Sequence, residues 1–360
     1  MGVFSDAQLH AILGQFSVAP GEYSLVPLTQ GYINDTFIAR DAKGPVYILQ
    51  RINHEVFPNV EGILNNIALA FHYLNGADYH TISLIRTRTG KPFFKGKSLA
   101  IGYWRLMTYM DDSQAYDIAG NPKIAHGAGK IIGTFHQLLD QAPKDRFVDT
   151  IANFHNLGSR ENQFGAALSQ AVQERLQNAK GPIGFAQEIL EILHKQIPEN
   201  LPERICHNDT KLNNILFSKT SGLPLCLIDL DTLMKGYFHY DFGDAVRTVV
   251  NTAPEDEREL DKIVFDKTLF TAFVDGLAEV RPFLNPIEIR ALPLGAVLMP
   301  FLHGLRALTD YLNGDVYYKI SYPGQNLDRC LSLFRFTEKA QAQLQFMTEI
   351  LAQRMVPLPE

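Results

Sequence analysis

Between residues 23 and 110 apolar and polar positions alternate over short runs that turn residues interrupt. Residues 36–40 and 46–51 are two such runs, joined by Asp41-Ala42-Lys43-Gly44-Pro45. Alternation of period two on both sides of a turn predicts a hairpin. One stretch breaks the rhythm: Ile63, Ile67, Ala70 and Leu74 recur at helical spacing over residues 60–74. Extended runs then return at 81–88 and 99–110, around a turn at Thr89-Gly90-Lys91. The order β-β-β-α-β-β predicts one antiparallel sheet with a single helix.

The polar residues Asp111-Asp112-Ser113 mark a crossing point. Beyond them the apolar period is mostly helical, over 124–139, 164–178, 185–196 and several segments after 255. The exception is a β-rich insert at 205–232. The expected architecture is α+β and bilobal: a small antiparallel-sheet lobe at 1–110 and a larger, mainly helical lobe at 111–360, with a cleft between them.

Composition narrows the class. Hydrophobic residues make up 46% and charged residues 20% of the 360, which excludes wholesale disorder, collagen-like repeats and a small disulfide scaffold. The 33 basic and 39 acidic residues leave a net charge of −6 without long runs of one sign. Bulk nucleic-acid binding, which needs a basic face, is not expected. Cys206, Cys226 and Cys330 form no CxxC pair, so a reducing compartment fits better than a secreted disulfide framework. The first eleven residues have neither a basic nor an apolar segment of the signal-peptide kind. The uncharged stretch between Arg290 and Arg306 contains Pro293, Pro300 and His303, and it falls short of the roughly 20 apolar residues of a spanning helix. A cytoplasmic protein without membrane partners is the expectation.

Three motifs imitate chemistry. Residues 90–98 resemble a phosphate loop but have five residues between glycines where four are needed, and they precede a strand-like run instead of a helix. Asp241-Phe242-Gly243 copies a kinase metal motif at the wrong spacing. Asp229-Leu230-Asp231 resembles the paired acids of a glycosyltransferase. The histidines show no zinc-ligand spacing.

The segment Ile205-Cys206-His207-Asn208-Asp209-Thr210-Lys211-Leu212-Asn213-Asn214-Ile215-Leu216-Phe217 is different. A Gly/Pro turn and Leu225-Cys226-Leu227-Ile228-Asp229-Leu230-Asp231 follow it. Two apolar strands forming a hairpin bring Asp209, Asn214 and Asp229 to one edge. Two carboxylates and an amide make an oxygen-rich site suited to Mg²⁺. Phosphoryl transfer needs such metals, and a carboxylate to orient the attacking hydroxyl and take its proton. Lys211 supplies a point charge for the same phosphate.

His207-x-Asp209-x-x-x-x-Asn214 with Ile228-Asp229, 20 residues beyond Asp209, resembles the catalytic signature of the aminoglycoside phosphotransferase and choline kinase group, of protein-kinase-like fold. The resemblance implies that Asp209 is the base, that Asn214 and Asp229 hold Mg²⁺, and that Asp241 braces the catalytic loop from a helix start. It places Gly31 and Asn34 in a nucleotide-covering loop. Gln50 stands where a protein kinase carries its phosphate-pairing lysine, and backbone groups of Thr108 to Met110 meet adenine. Arg51 points to the opposite face of the strand and cannot simply replace that lysine.

The same segments, with Tyr47-Ile48-Leu49-Gln50 and Asp310-Tyr311-Leu312, are similar to members of the group that act on N-acetylhexosamines. That likeness implies ATP and a sugar as substrates, phosphorylated at the anomeric hydroxyl. Asp231, Arg306 and Tyr317 join Asp209 as acceptor-binding candidates, with Asp310 and Tyr318 nearby in the chain. Three alternatives stay open: a kinase of another small alcohol such as choline, homoserine or an aminoglycoside; a nucleotide-binding module without turnover; and a glycosyltransferase.

Overall fold

The computed structural model describes residues 4–28, 33–98, 101–280 and 284–355. Helix α1 (Asp6–Leu13) comes first and was not foreseen; Ser5 and Gln8 close a reciprocal cap at its start. Then follow β1 (Ser24–Leu28), β2 (Asp35–Asp41), β3 (Gly44–Ile52), α2 (Val60–Ala70), β4 (Phe94–Lys95) and β5 (Tyr103–Thr108). They form an antiparallel sheet of order β1-β2-β3-β5-β4. The expected strand at 81–88 is instead an extended segment. Its backbone bonds alternately to β5 (Thr108 N to Ser83 O, 3.0 Å) and to the turn after α1 (Ser17 N to Arg86 O, 2.9 Å), so no continuous ladder forms. Residues 90–98 make a turn and then β4, not a helix N-terminus.

Period two sorts the two faces of the sheet. Leu49, Trp104 and Leu106 pack on Leu9, Ile12, Leu13 and Phe16 beneath α1. Gln50 and Arg105, paired in register, project from the other face.

The helical part contains α3 (Pro122–Leu139), α4 (Leu157–Gln170), α5 (Gln173–Asn178), α6 (Lys180–Gln196), α7 (Phe238–Val249), α8 (Lys267–Val280), α9 (Pro286–Leu312), α10 (Gln325–Gln341) and α11 (Leu344–Met355). Short strands enter between them: β6 (Ser113–Gln114) before α3, and β7 (Arg204–Cys206), β8 (Ile215–Ser218), β9 (Pro224–Leu227) and β10 (Met234–Gly236) between α6 and α7. Glycine permits one close crossing beside the site. A Cβ on Gly243 of α7 would lie 2.0 Å from Gly295 O of α9, so any side chain there would force apart the helix that follows the site.

The uncharged stretch read from the sequence is the middle of α9, 27 residues long. By length and apolarity alone it is able to cross a membrane, but 83% of its most apolar window is buried among the other helices. It is the axis of the core, in contact with α7, α10, α4 and α6. Cys206, Cys226 and Cys330 are buried free thiols.

Candidate active site

Topology brings two loops together. β7 pairs with β10, and β8 with β9 in the register Ile215↔Leu227. The loop 207–214 after β7 therefore runs beside the loop 228–233 before β10. Continuing the ladder one step, Ile228 N donates to Asn214 O at 2.8 Å, which sets Asn214 next to Asp229. Thr232 Oγ1 donates to His207 O at 2.8 Å, and the Asn208 amide donates to Cys206 O and Thr232 O, both at 3.1 Å. Asn208 and Asp229 both adopt left-handed backbone, at φ +62° and +60°; Asn and Asp bear that conformation best after glycine.

Asp209 sits at the centre, with 22% of its side chain exposed. Lys211 Nζ and Asn214 Nδ2 both donate to its Oδ2, at 2.9 Å each. Burial would raise its pKa, but the ammonium of Lys211 prevails and holds the carboxyl below its usual range, ready to accept a hydrogen bond from a hydroxyl. His207 donates through Nε2 to Ile228 O at 2.8 Å and accepts Asp209 N–H on Nδ1 at 3.2 Å. These neighbours place a ring proton on Nε2 and leave Nδ1 as the acceptor. His207 is an anchor of the loop.

Asp241, in the first turn of α7 and fully buried, accepts from His207 N at 2.8 Å, Asn208 N at 2.7 Å and His136 Nε2 at 2.8 Å. Its carbonyl accepts from Thr210 Oγ1 at 2.6 Å. Its carboxylate is saturated by backbone and histidine, so Asp241 is a brace and no metal ligand. The cluster His136, Cys206 and Asp241 is explained by the same bonds.

The donor set fits a hard divalent cation. Asn214 spends its amide nitrogen on Asp209, which leaves its oxygen for a metal. Burial, reinforced by Asp231, pushes the Asp229 carboxyl up to about 6. A buried carboxylate beside a second carboxylate is what a divalent cation relieves. Asn214 and Asp229 are the residues that would hold it.

Several expected nucleotide contacts are placed differently. Gly31 lies outside the described residues. Asn34 is already committed: its nitrogen donates to Asp231 Oδ2 at 2.7 Å and its oxygen accepts from Asn53 N at 2.9 Å. Gln50 takes Arg105 Nε and Nη2 on its oxygen, at 2.8 and 2.6 Å, and donates to Thr36 Oγ1 at 2.9 Å. Thr108 donates its N–H to Ser83 O and accepts Ser83 N–H on its hydroxyl, both at 3.0 Å, so its N–H is not available to adenine. Met110 N–H makes no hydrogen bond to the described residues. A groove of about 570 Å³ lined by Tyr47, Thr108, Tyr109 and Asp111 lies at the end of the β2–β3 hairpin, apart from Asp209.

One acceptor candidate is also corrected. Asp231 is 1% exposed, and both its oxygens are taken by groups from the sheet side, Arg105 and Asn34. Tyr317 is 59% exposed, whereas Tyr318 lies beneath the Arg329 guanidinium at 4.7 Å. Asp310 accepts from the N–H groups of Val316, Tyr317 and Tyr318 at 2.8–3.0 Å and shapes that turn instead of binding a ligand.

Arg306 stacks on the Phe154 ring at 5.2 Å, and Arg160 clasps Phe154 O at 2.6 Å. Phe154 in turn packs at a tilt on His155 (ring centroids 4.3 Å apart), whose Nε2 bonds to Asn208 O, next to Asp209, at 2.9 Å. Among the described residues neither guanidinium has a carboxylate in ion-pair range. Deeper in, Arg247 pairs with Asp244 (2.7 Å) and Glu255, and Glu255 also holds Arg329. The Oδ2 of Asp244 and Nε2 of His239 are buried without a hydrogen bond. Sequence reading missed Arg105, His136, Arg160 and Asp244. Only Arg105 left a signal, as the lone charge in the apolar run Tyr103-Trp104-Arg105-Leu106-Met107.

Three buried histidines line this region. Burial lowers His155 to about 4, His239 to about 3 and His303 to about 3, with Arg247 adding to the effect on His303. In the unfolded chain they titrate near 6.5, so below that pH the unfolded state binds more protons. Stability is complete above about 6.5 and falls toward pH 4, by about 1.4 kcal/mol per pH unit for each ring. Urea midpoints at pH 7.5 and 5.5 should differ strongly, and His155→Gln should reduce the difference; equal midpoints would contradict neutral rings.

The comparisons with known proteins agree with this arrangement. The microcompartment-associated aminopropanol kinase matches with TM-score 0.63 and 16% identity over 94% of this chain and 98% of its own. The aminoglycoside phosphotransferase of Alicyclobacillus acidocaldarius matches with TM-score 0.62 and 16% identity over 96% of each chain. An amicoumacin kinase, solved with AMP-PNP and Ca²⁺, matches with TM-score 0.61 and 14% identity over 94% of each. These likenesses show the protein-kinase-like fold. The sequence pattern of the phosphotransferase enzyme family matches residues 24–283, a span that includes Asp209, Asn214 and Asp229, and the chain therefore belongs to that family.

Proposed function

We propose that the chain is a Mg²⁺- and ATP-dependent small-molecule kinase whose acceptor is an N-acetylhexosamine, phosphorylated at the anomeric hydroxyl. In this reading residues 1–110 hold the nucleotide and 111–360 hold the catalytic loop and the sugar. Asp209, kept ionised by Lys211, orients the hydroxyl and takes its proton as the phosphoryl group departs. Lys211 neutralises charge at the transferred phosphoryl group. Asn214 and Asp229 hold the metal, which when bound neutralises the phosphates.

The observation that carries the choice of acceptor is the pair Arg160 and Arg306. Guanidinium offers only donors, so the pair asks for hydroxyl, amide-carbonyl or carboxylate oxygens. An ammonium group beside Arg160 and Arg306 would meet two positive charges, and misplaced like charge costs several kcal/mol. Several similar structures are named for other acceptors, among them aminopropanol and choline kinases.

ADP release from Mg·ATP tests the reading with N-acetylglucosamine, N-acetylgalactosamine, glucose, choline, homoserine and kanamycin offered singly. Turnover with the acetylated sugars, weakened in Arg306→Met chiefly through KM, is the expected result. Turnover with choline or kanamycin alone would keep the chemistry and discard the sugar. ATP binding without any turnover would favour a nucleotide-binding module.

A further inference from the structure

The strand position of the kinase lysine is Gln50, yet a buried cation occupies the same place from the neighbouring strand. Arg105 on β5 is the register partner of Gln50 and is 2% exposed. Its Nε and Nη2 rest on Gln50 Oε1, and its Nη1 on Asp231 Oδ1. Gln50 is itself oriented by Thr36, and Asp231 by Asn34. Of five guanidinium N–H donors this geometry uses three and leaves one each on Nη1 and Nη2. Asp231 lies two residues beyond the metal-binding candidate Asp229, so the unused donors sit on the sheet face that looks onto that site.

In kinases a strand β3 lysine, steadied by a carboxylate, pairs the nucleotide phosphates. Here the charge, its amide support and its carboxylate are all present, with the cation moved one strand over. From this juxtaposition we infer that Arg105 is the residue that binds the nucleotide phosphates, with Gln50 and Asp231 as the positioning residues that aim it. The assignment rests on the kinase reading above. A planar guanidinium held on two sides offers two parallel donors to one phosphate, where lysine offers a point charge.

The rival role is a brace between the sheet and the 228–233 loop, and it makes a different forecast. Calorimetric titration with Mg·ATP, Mg·ADP and adenosine separates the two. In Arg105→Met, ATP and ADP affinity should fall by about tenfold to a hundredfold, with adenosine affinity within about twofold of wild type. The double variant Gln50→Lys/Arg105→Met restores the charge on β3 and should recover most of that loss. Equal weakening of all three ligands, or unchanged ATP affinity, overturns the assignment in favour of the brace. If Arg105→Met does not fold, Arg105→Lys decides: KM for ATP must rise with KM for the acceptor constant, and an unchanged KM for ATP overturns the assignment. Wild-type protein that binds adenosine and Mg·ATP equally well overturns it too. Failure of wild type to bind any nucleotide overturns the kinase reading along with it.

Discussion

Asp209→Asn should lower kcat by about a hundredfold to ten-thousandfold and change KM for either substrate only a few-fold. The substitution keeps the shape of the side chain and one oxygen for the amide of Asn214, 2.9 Å away in the wild type. It removes the negative charge that Lys211 holds ionised and with it the acceptor for the hydroxyl proton. The ion pair that is lost is partly solvated, with exposures of 31% for Lys211 and 22% for Asp209, so its contribution to stability is small. Steady-state kinetics and a melting curve on the same preparation give the answer. A kcat within tenfold of wild type, in a protein that melts normally, would remove Asp209 from the role of base.

Asp241→Asn should act on stability first. The wild-type carboxylate accepts two loop N–H groups and the His136 ring, all at 2.7–2.8 Å and out of reach of water. Asparagine must turn an NH₂ toward at least one of those donors, and breaking a buried charged network of this kind costs about 3–5 kcal/mol. For a chain of 360 residues that lowers Tm by roughly 5 °C. Activity falls as well, because the loop carrying Asp209 is no longer held. If the variant instead melts like wild type and regains activity at high Mg²⁺, Asp241 is a metal ligand and the kinase-like appearance of Asp241-Phe242-Gly243 was meaningful after all.

The outcomes for these two aspartates hang on distinctions that spacing foreshadowed. Asp209 and Asp229 lie 20 residues apart across a hairpin, and Asp241 lies 32 from the first. A hairpin of short strands returns the chain to its starting edge, which is how Asp229 comes back to Asp209; that 20 residues suit the second aspartate and 32 do not was implied by the family resemblance. The 36–40 and 46–51 runs, the helix from residue 60 and the helical pattern from 124 were legible for a related reason: local backbone preference and one-sided burial write their period directly into the chain. The segment 81–88 had strand composition without a strand's pairing partner, and pairing is not a local property.

By itself, then, the sequence determined most of the order of the elements, with α1 and the segment 81–88 as the exceptions, and the loop that carries the candidate oxygens of Asp209, Asn214 and Asp229, because each depends on residues close in the chain or joined by one hairpin. Only the tertiary structure decided where the positive charge stands. Arg105 reaches Asp231 from 126 residues away, and Arg160 and Arg306 meet across Phe154 from two different helices. Asn34, Gln50 and Asp231 had the composition of ligand contacts, but each is consumed by another buried polar group. Buried donors and acceptors must be satisfied, and which partner satisfies them is settled by packing between distant segments, which no short stretch of sequence records.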